Sequence, residues 1–463
     1  MDNQVLIRVY NVGLGDCIYV RVPDKTEYRH ILIDCGTFSR AERLEKAVAD
    51  LEKTYLPKDS TGKLQLDLLI VTHNHKDHLS GFGVSSVSKW FQKIDIKQIW
   101  LSAGMNPNHP QAGKTFQLLE FADKAIKGLS AISLGTAYDE LAEDLLSARG
   151  DPDAEDNIKA LEMLRETLPK KLKGKKQPTY VDDGMKDGKV PGIFAESTTR
   201  LRVLAPVFDI DGTYLGKLGD ALVAFESFQD HVGFIRGKRP EQARDLPKNF
   251  MDSANQPANI SEGDFLRLRE RLIYQALAFV TKGHGELANN TSVILLLEWR
   301  GRRLMFVGDA QCKIGREEIY ISGAINGSWN AMWERHNDLL KQPLDFIKIG
   351  HHGSHNATPW SADNPGDPVN KILDALIPPT KTDCRAVVST ERTQNDNFKR
   401  TIPQKELMIE IGRRLQKPAT DYDETARYPD LIVEFGSCFV PKGKPQPLRT
   451  DLESGDSVTI TIP

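Results

Sequence analysis

Cysteine is scarce and unordered in this chain. Five residues (Cys17, Cys35, Cys312, Cys384 and Cys438) are odd in number and scattered, with no C-x-x-C pair. That argues against a disulfide framework and points to a reduced, cytoplasmic protein with mostly buried thiols. Also absent is any run of about 18 apolar residues, the length that spans a bilayer, so no membrane association is expected. Met1 leads straight into Val5-Leu6-Ile7-Arg8-Val9-Tyr10, which reads as a strand rather than a signal peptide. Nor is there an excess of one charge: 61 Lys and Arg against 64 Asp and Glu leave a formal net charge of −3, which argues against general coating of nucleic acid. No Ser/His/Asp or Cys/His nucleophile set is visible. What remains, 40% hydrophobic and 27% charged residues, suits a large core in one elaborated domain or two.

Histidine is sparse as well, 11 residues in all, yet three stand with an aspartate in Thr72-His73-Asn74-His75-Lys76-Asp77-His78. The preceding Leu66-Asp67-Leu68-Leu69-Ile70-Val71 is mostly apolar and β-branched, as a buried strand is. Ligands after such a strand sit on a loop at its carboxyl end, where open α/β sheets place their chemistry. Three imidazoles and a carboxylate suit a borderline divalent ion such as Zn²⁺, with Mn²⁺ or Fe²⁺ as alternatives. In an extended loop His73 and His75 point the same way and can share one ion, while Asp77 and His78 turn toward a second. With so few histidines elsewhere, a chance His-rich surface loop is the weaker reading.

The spacing H-x-H-x-D-H after a hydrophobic strand resembles the signature of the metallo-β-lactamase fold superfamily. Further blocks follow in order: Asn11-Val12-Gly13-Leu14-Gly15-Asp16-Cys17, Ile31-Leu32-Ile33-Asp34-Cys35-Gly36, Asn289-Asn290-Thr291-Ser292-Val293-Ile294-Leu295-Leu296, Phe306-Val307-Gly308-Asp309-Ala310, and Asp345-Phe346-Ile347-Lys348-Ile349-Gly350-His351-His352-Gly353-Ser354. Together they resemble the branch that contains the hydrolase domain of the DNA-uptake protein ComEC and the phosphorylcholine esterases. The resemblance implies an α/β protein, a four-layer αβ/βα metallo-β-lactamase sandwich with helical insertions. The channel-forming part of ComEC has no counterpart here.

Strand and helix textures alternate up to about residue 103, with helical spacing over 42–56 and a strand at 94–101. The expected organisation is a first part of the core over 1–112, a helical insertion or cap over 113–195, and a second part over 196–445. The second part contains a further insertion at about 208–285, and 446–463 forms a C-terminal strand and tail. Phe265–Val280 reads as a helix that Ser261 caps and Asp264 answers. Val293–Trp299 and Arg303–Gly308 read as a strand pair joined at Arg300-Gly301-Arg302, and Leu431–Phe435 and Val458–Ile462 as strands. Residues 116–190 are expected to be removable, leaving a folded, metal-binding core.

By the resemblance, the metal ligands are His73, His75, Asp77, His78, Asp309 and His352, with Asp309 bridging two ions. His351 and His352 follow one strand, and adjacent side chains there diverge, so one of them reaches the metal; the family pattern implies His352, with His351 facing substrate. His284, next to Gly283, stands near the place of a third imidazole on the first ion, but it lies well ahead of Ser292; a histidine closing a helix is the competing reading. Asp34, and Asp16 with it, are expected to buttress the histidine loop by hydrogen bonds. Ser354, His355 and Asn290 are candidates for the substrate pocket. The remaining histidines, 30, 109, 231 and 336, read as surface or structural. The Lys170–Lys176 cluster can attract a phosphate backbone, although such a run more often forms a solvated loop.

The chemistry expected is hydrolysis by two divalent ions, Zn or Mn, which bring a bridging water to hydroxide near neutral pH. Asp77 then orients it or takes its proton, and His351 stabilises charge or protonates a leaving oxygen. The leading reading is a phosphodiesterase, a nuclease first, acting on DNA or RNA. A binuclear hydrolase of a lactone, thioester or amide is the alternative, as is a partner-dependent effector subunit of a bacterial defence system, with the partner held through 113–195.

Overall fold

The computed structural model describes residues 3–83, 85–116, 155–172, 177–185, 192–216, 259, 261, 263–264, 286–354, 356–378, 380–381, 384–390, 404–415, 436–439, 448–450 and 457–463. β1 (Val5–Tyr10), β2 (Cys17–Asp24) and β3 (Glu27–Cys35) form an antiparallel meander. β4 (Gln65–Val71), β5 (Asp95–Ser102) and β6 (Thr179–Val181) continue the sheet parallel to β3. A second sheet follows. In it β7 (Arg200–Ala205), β8 (Ile294–Trp299) and β9 (Arg302–Val307) are antiparallel neighbours, β10 (Phe346–Ile349) and β11 (Arg385–Ser389) run parallel to β9, and β12 (Gly436–Phe439) returns antiparallel. β13 (Leu448–Thr450) and β14 (Ser457–Ile462) go back to the first sheet, where β14 pairs with β1.

Side-chain alternation along the strands builds the layers. In β4, Leu68 and Ile70 face the second sheet, while Leu69 and Val71 face helices α1 (Ala41–Asp50), α2 (Lys76–Gly83) and α3 (Ser85–Lys93). In β9, Leu304 and Phe306 face the first sheet. Met305 and Val307 meet the outer helices carrying Trp329, Met332, Leu373, Leu407 and Ile411. Trp100, Trp299, Phe306 and Phe346 fill the space between the sheets, where burial stabilises by about 1.5–3 kcal/mol per large side chain. The result is the four-layer α/β sandwich expected from the resemblance. The β8–β9 connection is a two-residue turn, Arg300-Gly301, with both φ positive (48° and 84°), as a tight hairpin of matching twist requires.

The described parts of 113–195 correct one expectation. α4 (Glu155–Glu162) and the chain after it place Ala160, Met163, Leu164, Leu168 and Leu172 in one apolar cluster with Leu79, Phe82 and Phe91, and β6 hydrogen-bonds to β5. Residues 155–172 and 177–181 are therefore part of the first sheet and its helix layer, not a cap over it. Helical spacing reports an apolar face but not what covers it, and a three-residue strand is too short to show a period. The strand expected at Val458–Ile462 is present as β14, which closes onto β1. Ser261 and Asp264 make the expected cap contacts, with Asp264 N donating to Ser261 Oγ. Phe265–Val280 and Leu431–Phe435 lie outside the described residues.

Candidate metal centre

All the clustered groups stand at one end of the sandwich. The loop after β4 delivers His73 and His75 and the first turn of α2 delivers Asp77 and His78; Gly308 and Asp309 follow β9, and His351 and His352 follow β10 after Gly350. Asp34, near the end of β3, binds the first loop: its Oδ1 accepts from Thr72 N at 2.7 Å, and its Oδ2 accepts from Thr72 Oγ1 at 2.7 Å and lies 2.8 Å from His78 Nδ1. Close approach needs glycine at two places. A Cβ on Gly36 would lie 2.4 Å from the His78 backbone, and one on Gly308 would lie 2.9 Å from Thr72 Cβ. Asp34, His351 and His352 all have positive φ (56°, 44° and 52°), a conformation that costs non-glycine residues energy and recurs at functional sites.

Among the described residues three donor groups stand together, one of them Asp16, Asp34 and His78, and the other two share one carboxylate. Asp77, His78, Asp309 and His352 bring ligand atoms within 4.8 Å of one another, and so do His73, His75 and Asp309. Asp309 Oδ1 is 3.1 Å from His78 Nε2, and its Oδ2 is 3.8 Å from His73 Nε2. Asp77 Oδ2 is 2.9 Å from His352 Nε2 and 3.5 Å from His78 Nε2. The other ring nitrogens are already spoken for. His78 Nδ1 faces the Asp34 carboxylate, His352 Nδ1 lies 2.9 Å from the Ser389 carbonyl, and His73 Nδ1 lies 3.1 Å from Thr72 Oγ1. Each acceptor holds a proton on Nδ1 and leaves Nε2 as the lone-pair donor, the tautomer a metal needs. The Nε2 atoms of His73 and His78 are buried with no hydrogen-bond partner among the described residues. Unsatisfied imidazole nitrogens beside two carboxylates fit a divalent cation of the Zn or Mn kind.

Without a cation, protons take up part of the charge. Burial opposes charging His78, but the Asp309, Asp77 and Asp34 carboxylates outweigh it and raise its pKa well above the ordinary value. His352 is raised too: burial is overcome by its bond to Asp77. Burial pushes His73, His75 and His351 down, keeping them neutral and able to ligate. Burial would raise Asp77 and Asp309, yet the facing imidazoles hold both below the carboxylate range. Burial raises Asp34, with His78 working against it.

Of the adjacent pair, His352 is 5% exposed and engaged with Asp77, whereas His351 is 24% exposed, with Nε2 4.0 Å from Asp309 Oδ2. Ser354 Oγ lies 2.9 Å from His351 Nδ1 and so aims that ring. Asn290, a pocket candidate by sequence, has a structural task. It is buried, and its carboxamide oxygen accepts from the Gln311 and Ser328 backbone amides, joining the loop after β9 to α5 (Ser328–Leu340). His284 and His355 lie outside the described residues. Sequence reasoning missed three groups: Thr72, Ser389, and Lys348, which is buried against Asp16. The signal for Lys348 was a lone lysine between Ile347 and Ile349.

Residues 10–165 match the model of the metallo-beta-lactamase superfamily. The metallo-β-lactamase match takes in Asp16, Asp34 and the whole His73–His78 run. It ends before Asp309, His351 and His352, which the second sheet brings to the same place. No curated protein matches the chain. The match and the clustered donors together indicate a metal-dependent hydrolase. Among the described residues, no helix is long and apolar enough to cross a membrane.

Proposed function

We propose that this protein is a binuclear-metal phosphodiesterase, acting first of all as a nuclease on DNA or RNA. One observation carries the two-ion part of the reading: Asp309 belongs to two of the donor groups, the placement of a carboxylate shared by neighbouring cations. His73 and His75 would hold one ion, Asp77, His78 and His352 the other. Ions held there supply positive charge for phosphoryl oxygens and an acidified water. Asp77, between His352 and His78, orients the attacking water. His351, aimed by Ser354 at the more open side and kept neutral by burial, donates its N–H as a hydrogen bond to the charge developing on the leaving oxygen. The preference for phosphoester bonds rests on the resemblance of the Gly308-Asp309 and His351-His352-Gly353-Ser354 blocks to ComEC-type hydrolases and phosphorylcholine esterases.

The test is hydrolysis of bis-p-nitrophenyl phosphate and of labelled single- and double-stranded DNA with Mn²⁺ or Zn²⁺, comparing wild type with Asp77→Ala and Asp309→Ala. Activity should depend on the ion and be abolished in both variants. Two ions bound without cleavage of any of these substrates would overturn the phosphodiesterase reading. Failure to bind ions would overturn the metal centre itself.

A further inference from the structure

Lys348 is wholly buried in β10, and its ammonium contacts Asp16 Oδ2. The contact crosses between the sheets, because Asp16 sits at the entry to β2 in the first sheet. Asp16 is also buried, and its Oδ1 has no hydrogen-bond partner among the described residues. Its Oδ2 stands 3.8 Å from His78 Nδ1, the nitrogen that Asp34 Oδ2 holds at 2.8 Å. Two buried carboxylates thus face one N–H, which can make its short bond to only one of them.

We propose that Lys348 is a positioning residue for the metal centre: it retains Asp16, so that the His78 Nδ1–H stays on Asp34 and Nε2 stays directed at Asp309. The inference rests on the metal-centre reading above. Physically, a buried carboxylate without its counter-charge is strongly disfavoured and recruits the nearest proton donor. Without Lys348 the His78 Nδ1–H, 3.8 Å from Asp16 Oδ2, is the donor Asp16 recruits, and rotation of the ring toward it would turn Nε2 away from Asp309. Removing Asp16 as well takes away the competitor, so the double change should repair what the single change breaks.

The experiment is calorimetric titration of the metal-free full chain with Mn²⁺ alone and with Zn²⁺ alone, using wild type, Lys348→Met and the double variant Asp16→Asn/Lys348→Met. Lys348→Met should bind ions at least about tenfold more weakly, the scale seen when support of a metal-bound histidine is lost. The double variant should return to within about threefold of wild type, a rescue that a role confined to joining the sheets would not give. Lys348→Gln, which keeps a donor for Asp16 but no charge, replaces Lys348→Met if the latter does not fold, with the same loss expected. Wild-type affinity in the single variant, or a double variant as weak as the single, would overturn the proposal. A wild type that binds neither ion would instead overturn the metal reading beneath it.

Discussion

His78 Nδ1 lies 2.8 Å from Asp34 Oδ2, and this contact decides which nitrogen of the ring faces Asp309. Asp34 comes from β3 and His78 from the first turn of α2, which follows the neighbouring strand β4, so one strand sets the tautomer of a ligand carried by the next unit.

Asp34→Asn tests that contact. Asparagine tolerates the positive φ of this position and can still accept from Thr72 N, so the fold should survive. Its amide NH₂ would then oppose the His78 N–H, turning the imidazole to the other tautomer and placing a proton on Nε2. Metal affinity should fall about 10- to 100-fold, with the circular dichroism spectrum unchanged. Titration with Mn²⁺ or Zn²⁺ reads this directly, and an affinity within twofold of wild type would show that Asp34 does not set the tautomer.

His30 predicts a pH dependence away from the centre. It is buried on β3 beside Tyr19, and burial pushes its pKa down to about 4 from the ordinary 6.5, the nearby Asp67 only partly opposing this. The folded state therefore disfavours the proton. Its contribution is complete above pH 6.5 and is lost as pH falls from 6.5 toward about 4, by an amount on the order of 3 kcal/mol. Thermal unfolding of the metal-free protein across that range, wild type against His30→Gln, should show the steeper loss in wild type. Parallel curves would mean that His30 takes up its proton without resistance.

Residues 155–181 should not be removable. Their deletion would strip Met163, Leu164 and Leu168 from the helix layer and β6 from the edge of β5, exposing Leu79, Phe82 and Phe91. Loss of buried aliphatic contacts costs about 2–5 kcal/mol per large side chain, and several go at once. The shortened chain should be insoluble or lack a cooperative thermal transition. A soluble, metal-binding product would instead make this segment an appendage.

The histidine loop was legible because it is a local pattern: His73 to His78 are contiguous, and the apolar run before them names the strand end. Asp309 and the pair His351–His352 were legible for the same reason, each directly following an apolar strand. Lys348 was not, because its partner Asp16 lies far off in sequence and nothing near Lys348 announces a buried counter-charge. His30 and His109 are buried although they stand alone in the chain, since burial there is decided by the neighbouring strands and loops. Asn290 stands in a polar block that does not name its partners. Its carboxamide is occupied by backbone amides that only the folded chain brings near.

The pairing of Val5 with Ile462 fixes an order of events during synthesis. β1 has β2 on one side as soon as the hairpin forms, but its other edge stays bare until 457–462 has been made, and a bare strand edge invites pairing with other chains. The histidine loop exists early in the same interval, while Asp309 and His352 come from the later half. A growing chain therefore carries half a chelating site and an open sheet edge together. The edge stays open even after His352 has been made, until 457–462 closes it.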